Sequence, residues 1–305
     1  MAISRYGGPE LLVEQQVPDP PVGPDTVLVR TRAVGVNPVD CKIRAGHLDG
    51  AFPTHFPLVP GWDLAGVVVA AGPAVRGFTA GDEVIGYVRR DDIQFGTYAE
   101  LVPAPERTLA DKPLRASWAE AGALPLAGLT AYQALRAVEV AEGDTVLVHA
   151  AAGGVGHLAV QLARTLGATT VIGAASERNH DFVRSLGAEP VASGPGLTDR
   201  VRAVAPGGVD AVLDMFGGDA LAASAELLTD AQRLASIADP VGVAELGGVY
   251  VFVKPSATDL GLLAGLIDAE RLTVHVERTF PLGAAAEAHR VIEGGHVRGK
   301  LVLEV

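Results

Sequence analysis

The spacing of apolar positions changes once along this 305-residue chain. Up to about Pro105, short Val and Leu runs at 27–30, 64–70 and 83–88 alternate with Pro and Gly clusters such as 18–24 and Gly72-Pro73. That texture of strands and tight turns predicts a twisted, barrel-like β domain. From Trp118 onward apolar strands alternate with segments of helical period. Strands are predicted at 146–149, 170–173, 209–214, 233–237 and 249–253, with helices at 156–166, 179–186, 197–205 and 220–228. Such alternation builds a parallel, doubly wound α/β sheet that binds its ligands at the carboxyl ends of the strands. After Pro255 the pattern predicts helices at 257–269 and 283–293 and a last strand at 300–304. No internal repeat is present.

The stretch from Asp144 to Arg164 organises the second half. A β-branched strand leads through Ala151-Ala152-Gly153-Gly154-Val155-Gly156 into a helix whose apolar face carries Val155, Leu158, Leu162 and Leu166. Gly153 and Gly156 fall on the second and third glycines of a G-x-G-x-x-G fingerprint, with Ala151 on the first. Small residues let the backbone turn tightly and approach a pyrophosphate, which the helix N-terminus then holds. A dinucleotide is the expected cofactor, with Ala152, Gly153, Gly154, Val155 and Gly156 around its phosphates.

The end of the next strand indicates which dinucleotide. An acidic residue there selects NAD by binding the ribose hydroxyls, but Ala175 holds that position. Ser176 and Arg178 follow, a hydroxyl donor and a cation suited to a 2′-phosphate, so NADPH is expected. The competing reading makes Ser176 a helix N-cap and Arg178 a solvated surface residue. Glu177, between them, must point away from a bound phosphate.

Composition narrows the remaining options. Acidic residues outnumber basic ones, 36 to 24, for a formal net charge of -12. This argues against nucleic acid or an anionic membrane as partner. The single cysteine, Cys41, excludes an intrachain disulfide framework and a four-cysteine zinc lobe. The first nine residues show no apolar leader, and runs such as 64–71 are too short to span a bilayer. A soluble cytoplasmic protein is expected. No Ser-His-acid grouping or G-x-S-x-G elbow points to a hydrolase.

Seven further segments bear a resemblance. They are Tyr6-Gly7-Gly8-Pro9-Glu10, Gly35-Val36-Asn37-Pro38-Val39-Asp40, Pro60-Gly61-Trp62-Asp63-Leu64-Ala65-Gly66 and Gly81-Asp82-Glu83-Val84. With them go Gly96-Thr97-Tyr98-Ala99-Glu100, Leu124-Pro125-Leu126-Ala127-Gly128-Leu129-Thr130-Ala131-Tyr132 and Gly299-Lys300-Leu301-Val302-Leu303. Together they resemble the medium-chain dehydrogenase/reductase superfamily, in its zinc-free quinone oxidoreductase (zeta-crystallin-like) branch. The resemblance implies a GroES-like catalytic domain over 1–117, completed by 255–305, around a Rossmann domain over 118–254, with the active site in the cleft. It also implies Thr130 near the nicotinamide, Lys300 near the pyrophosphate, and cofactor loops at Phe216-Gly217 and Ile237-Ala238. Phe252 is a candidate nicotinamide neighbour, against the alternative of a core phenylalanine. Homodimers that pair the last Rossmann strand, here 249–253, are a further implication.

Zinc-dependent relatives carry a cysteine ligand where this chain has Asn37, and Gly-His-Glu where it has Gly61-Trp62-Asp63. Neither Asn nor Trp is a usual zinc ligand, and the nearby Asp40, Cys41, His47, His55 and Asp63 match no metal-site spacing, so no metal is expected. Hydride transfer to a quinone or a small α,β-unsaturated carbonyl puts charge into a conjugated system and so needs no Lewis acid. Asn37 is the expected hydrogen-bond donor beside the acceptor, its other reading being a residue that ties the turn before Pro38. Two departures stand out. Lys42 occupies a position that is aromatic in many quinone reductases. Leu48 stands where enoyl-thioester reductases often carry a tyrosine proton donor. Enoyl-thioester reduction and non-catalytic NADPH binding remain the alternative functions.

Overall fold

A computed structural model describes residues 1–305. In chain order it runs β1 (Thr26–Val36), α1 (Pro38–Ala45), β2 (Thr54–Val59), β3 (Asp63–Ala71), β4 (Glu83–Tyr87), β5 (Ile93–Phe95), β6 (Leu101–Pro105) and β7 (Leu109–Asp111). Then follow α2 (Trp118–Ala123), α3 (Pro125–Ala137), β8 (Thr145–Val148), α4 (Gly156–Thr165), β9 (Thr170–Ala175), α5 (His180–Ser185) and β10 (Glu189–Ala192). Next are α6 (Leu197–Val204), β11 (Ala211–Asp214), α7 (Gly218–Ala225), β12 (Leu234–Ser236), α8 (Pro240–Glu245) and β13 (Val249–Tyr250). The chain closes with α9 (Ala257–Asp268), β14 (Val276–Pro281), α10 (Ala285–Glu293) and β15 (Lys300–Glu304).

Two compact units result. Unit 1 comprises residues 1–126, 255–270 and 274–305, and unit 2 comprises 127–254 and 271–273. The division falls at Leu126 rather than at 117 because α2 packs on β1, β3 and β15 of unit 1.

In unit 1 a seven-stranded sheet has the order β14-β15-β1-β3-β4-β7, with β6 also paired to β1. Strand β1 is the hub. Its first half (26–30) pairs with β6 and its second half (33–36) with β15, while β3 runs along it through two register shifts. Its β-branched residues alternate into a core of Val27, Val29, Leu64, Val68, Val84, Val102 and Leu109. The register Val36↔Leu301 has a direct consequence, because it brings Lys300 beside Asn37 where the two strands end.

Unit 2 holds a six-stranded parallel sheet in the order β10-β9-β8-β11-β12-β13. The order reverses between β8 and β11, the switch point at which open α/β sheets bind ligands. Leu147, Ile172, Val212 and Leu234 from the strands meet Val201, Leu221 and Val243 from the helices. Strand β10 is missing from the sequence prediction because Glu189-Pro190-Val191-Ala192 reads as a turn; Pro190 is tolerated there on an edge strand. β13 is shorter than the 249–253 run expected. Leu147 lies fully buried on central β8. Leu147→Ala is expected to destabilise the protein by about 2–5 kcal/mol, as read by urea unfolding.

Candidate active site

One candidate constellation is the turn between β8 and α4 in unit 2. Ala150 adopts a positive φ of 43°, and its carbonyl accepts the Gly153 N–H at 2.7 Å. The turn is anchored by Ala151 N–H on the Ala174 carbonyl at 3.0 Å and by His157 Nδ1, 2.9 Å from the Gly153 carbonyl. Only glycine fits at 156, since a Cβ there would lie 2.7 Å from the Ala150 carbonyl carbon and 2.8 Å from Ala151 Cα. No side chain caps α4. The N–H groups of Gly154, Val155 and Gly156 therefore meet no backbone acceptor. They stand at the positive end of the helix dipole, where open donors suit a pyrophosphate, while the Gly153 N–H is already committed to Ala150.

Ala175 ends β9, and Ser176, Glu177 and Arg178 are exposed just beyond it. Ser176 makes no capping hydrogen bond to the following turn; its hydroxyl accepts from Asn179 Nδ2 at 3.2 Å. Arg178 takes part in no salt bridge. Phe216 and Gly217 follow β11, and Ile237 and Ala238 follow β12.

A lattice that sequence reasoning missed fixes these last two loops. Buried Asp214 accepts from Gly217 N–H at 2.9 Å and from Ser236 Oγ at 2.6 Å. Ser236 Oγ in turn accepts from Ala238 and Asp239 N–H at 3.2 and 3.1 Å. Asp239 closes the set through Gly218 N–H and Gly242 N–H. An acid at a strand end before Gly-Gly, and Asp239 before Pro240, were the available signals. His149 is structural: its Nε2 lies 2.6 Å from Ser224 Oγ, and burial holds its pKa below the usual histidine range. Thr130 is buried on α3. Phe252 is 51 % exposed, so it is not the core phenylalanine of the alternative reading.

The second constellation lies within unit 1. Asn37 caps α1, with its backbone N–H donating to Asp40 Oδ2 at 2.8 Å. Its amide Nδ2 donates to Asp63 Oδ2 at 2.8 Å and to the Gly35 carbonyl at 3.4 Å. Its Oδ1 accepts from Lys300 Nζ. Lys300 also donates to the Val36 carbonyl at 3.2 Å and reaches Asp63 Oδ2 at 3.4 Å. Leu126 N–H completes the Asp63 shell at 2.6 Å. Gly35 leaves room for the carboxylate, since a Cβ there would fall 2.5 Å from Asp63 Oδ2. Burial raises the Asp63 pKa, and the Lys300 charge and the Asn37 hydrogen bond oppose the rise.

Two expected site residues have their polar atoms engaged within unit 1. Lys300, expected near the pyrophosphate, is 3 % exposed and bonds to three acceptors inside unit 1. Asn37, expected to donate to the acceptor molecule, has both ends of its amide engaged by Asp63, Gly35 and Lys300. Its reading as the residue that ties this turn describes the geometry, with Asp63 and Lys300 as partners that the sequence did not reveal.

The donor set does not fit a zinc ion. No three His, Cys, Asp or Glu side chains group to hold a metal. The Asp63 carboxylate already faces the Lys300 ammonium. Trp62 packs into an aromatic wall, its ring 6.1 Å from Phe52 and 6.0 Å from Tyr87.

A GroES-like unit with a doubly wound nucleotide sheet defines the class as a medium-chain dehydrogenase/reductase. Comparison with known proteins agrees. Residues 23–114 match the family described as "Alcohol dehydrogenase GroES-like domain", and residues 186–303 that described as "Zinc-binding dehydrogenase". The chain is 33 % identical to the spinach (Spinacia oleracea) "Quinone-oxidoreductase homolog, chloroplastic" over 98 % of this chain and 95 % of the relative. It is 33 % identical to the Arabidopsis thaliana "NADPH-dependent alkenal/one oxidoreductase, chloroplastic" over 98 % of this chain and 78 % of the relative. The solved quinone oxidoreductase from Coxiella burnetii superposes with a TM-score of 0.89 at 35 % identity, covering 100 % of this chain and 98 % of that one. The chain belongs to the quinone oxidoreductase branch of the medium-chain dehydrogenase/reductase superfamily. It is an oxidoreductase.

Replacing Lys300 by methionine leaves Asp63 buried without its cation. Lys300→Met is expected to cost about 3–5 kcal/mol in chemical unfolding, and Lys300→Met with Asp63→Asn to recover most of that loss.

Proposed function

We propose that this chain transfers hydride from NADPH to a quinone or a small α,β-unsaturated carbonyl, without zinc. One observation carries the cofactor half of the reading. The strand that would end in a ribose-binding acid ends in Ala175, and exposed Ser176 and Arg178 follow it. NADPH, when bound, supplies the hydride. The chain's own residues supply the rest. Ala152 to Gly156 receive the pyrophosphate, Ser176 and Arg178 read the 2′-phosphate, and Asp214, Ser236 and Asp239 hold the Phe216-Gly217 and Ile237-Ala238 loops in place. Thr130 and Phe252 flank the nicotinamide in this reading.

On the acceptor side, Asn37 is a positioning residue. It fixes the Lys300 ammonium against Asp63, so that the cluster holds its own cation where zinc-dependent relatives hold a metal. Conjugated acceptors suit such a site because the charge that hydride transfer creates is delocalised. The names of the spinach and Arabidopsis relatives, a quinone oxidoreductase homolog and an alkenal/one oxidoreductase, support this acceptor class. Leu48, at the position of the tyrosine donor of enoyl-thioester reductases, disfavours that alternative.

The edge strand β13 presents Val249 and Tyr250, each more than a third exposed, with Phe252 beyond it. An apolar open edge of this kind supports a homodimer that pairs β13 with its copy. The acidic charge and the lone buried Cys41 support a cytoplasmic setting, and no helix is long and apolar enough to cross a membrane.

Steady-state assays with NADPH against 1,4-benzoquinone and a short enone are expected to show turnover with at least one of them. Absence of turnover with every quinone and enone contradicts the reading. Arg178→Ala is expected to weaken NADPH binding by about 1–3 kcal/mol in calorimetric titration while leaving NADH binding nearly unchanged. An equal loss for both cofactors removes Arg178 from 2′-phosphate recognition.

A further inference from the structure

Three buried residues of unit 1 form a chain with no part in the reaction as described so far. Asp40 on α1, Tyr98 in the turn before β6 and His289 on α10 are all fully buried. The Tyr98 hydroxyl lies 3.1 Å from Asp40 Oδ2 and 3.1 Å from His289 Nε2. The imidazole meets the phenol edge-on, with ring centroids 5.6 Å apart.

A hydroxyl has one proton to give, so one of those two contacts requires the neighbour to donate. Two arrangements satisfy both with the same heavy atoms. With Asp40 ionised, His289 Nε2–H donates to Tyr98 and Tyr98 donates to Asp40. With Asp40 protonated on Oδ2, the carboxyl donates to Tyr98, Tyr98 donates to Nε2, and the imidazole proton sits on Nδ1. The outer atoms of the chain, Asp40 Oδ1 and His289 Nδ1, are buried polar atoms with no hydrogen-bond partner. Such atoms are expensive in an interior, and here they stand at the two ends of one hydrogen-bonded line.

We propose that Asp40, Tyr98 and His289 form a proton wire that loads Asp40 from the α10 side and so supplies the proton that each reduction consumes with its hydride. This rests on the oxidoreductase reading above. The balance is simple. A proton bonds to Nδ1 as its bond to a water-borne acid of the solvent breaks, the Nε2–H bond breaks as its proton passes to the Tyr98 oxygen, and the original Tyr98 O–H bond breaks as that proton passes to Asp40 Oδ2. Nothing is oxidised, and one proton is gained on the carboxyl. The hydride and its electron pair come from NADPH, and the Asp40 Oδ2–H bond breaks as its proton neutralises the reduced acceptor, which returns Asp40 to the carboxylate.

The surroundings suit these roles. The carboxyl is faced by Asn37 N–H, Asp63, Lys300, the Cys41 thiol and the Tyr87 phenol. Burial pushes Asp40 up to about 7, against the pull of the Asn37 hydrogen bond. The imidazole is faced by Tyr98 and by Arg44, which pairs with Glu293 at 2.5 Å. Burial, then the Arg44 charge, pushes His289 down to about 3, so it stays neutral and can exchange tautomers. Burial also raises Tyr98 well above the ordinary phenol range and keeps it a donor.

Nitrogen NMR of His289 in the ligand-free protein, with infrared detection of the protonated carboxyl, tests the wire independently of turnover. In the wild type, rising pH is expected to convert His289 from the Nδ1–H to the Nε2–H tautomer. The midpoint is expected to match the loss of the Asp40 carboxyl band, which Asp40→Asn abolishes. In Tyr98→Phe the two titrations are expected to separate. Enone reduction by NADPH is then expected to fall about tenfold in kcat with little change in KM for the enone. Should Tyr98→Phe fail to fold, His289→Gln serves for the kinetic arm and the wild-type titration still decides. A wild-type His289 that keeps one tautomer across the neutral range, or a folded Tyr98→Phe with unchanged kcat, overturns the wire. A wild type that shows the coupled titration but reduces no acceptor overturns the functional reading instead.

Discussion

An ammonium buried against a carboxylate persists only where every polar atom of the pair is matched, because each ion loses its hydration on burial. Lys300 and Asp63 meet that condition through Asn37, the Val36 carbonyl and the Leu126 N–H. The match is made by strand register. β1 ends where antiparallel β15 begins, β3 starts with Asp63, and Gly35 leaves the space in which the carboxylate sits. The pairing of the C-terminal strand with the N-terminal sheet is thus the constraint from which the unit 1 cluster follows. Asp40, one helical turn along α1, inherits a neighbourhood whose charge is already balanced by Lys300.

Unit 2 relies on the opposite device. The turn before α4 offers N–H donors that meet no backbone acceptor, shaped by a positive φ at Ala150 and by a glycine that no other residue can replace at 156. The Asp214–Ser236–Asp239 hydrogen bonds tie the neighbouring loops together, and Phe216 in the first of them is exposed.

Local signals carried much of this into the sequence. The change of period near Trp118 separated the β-rich and the alternating halves, and the small residues from Ala151 to Gly156 marked the elbow, because turn chemistry and helix periodicity act over a few residues. The hydrogen bonds of Lys300 and Asn37 to Asp63 are not legible in the sequence, because that partner lies 237 and 26 residues away along the chain. No local pattern reports such a distance. The same limit hid the Tyr98–His289 contact, 191 residues apart. β10 was lost for a different reason: Pro190 mimics a turn unless the strand is known to lie at an edge.

The most direct test of the account is the metal content and activity of the purified chain before and after exhaustive chelation. The account predicts NADPH-dependent reduction of a quinone or enone by protein that retains no stoichiometric zinc, at a rate that chelation does not change. Tightly held equimolar zinc whose removal abolishes turnover would contradict it, since the Lys300 ammonium would then not be the cation that the Asp63 cluster is built around.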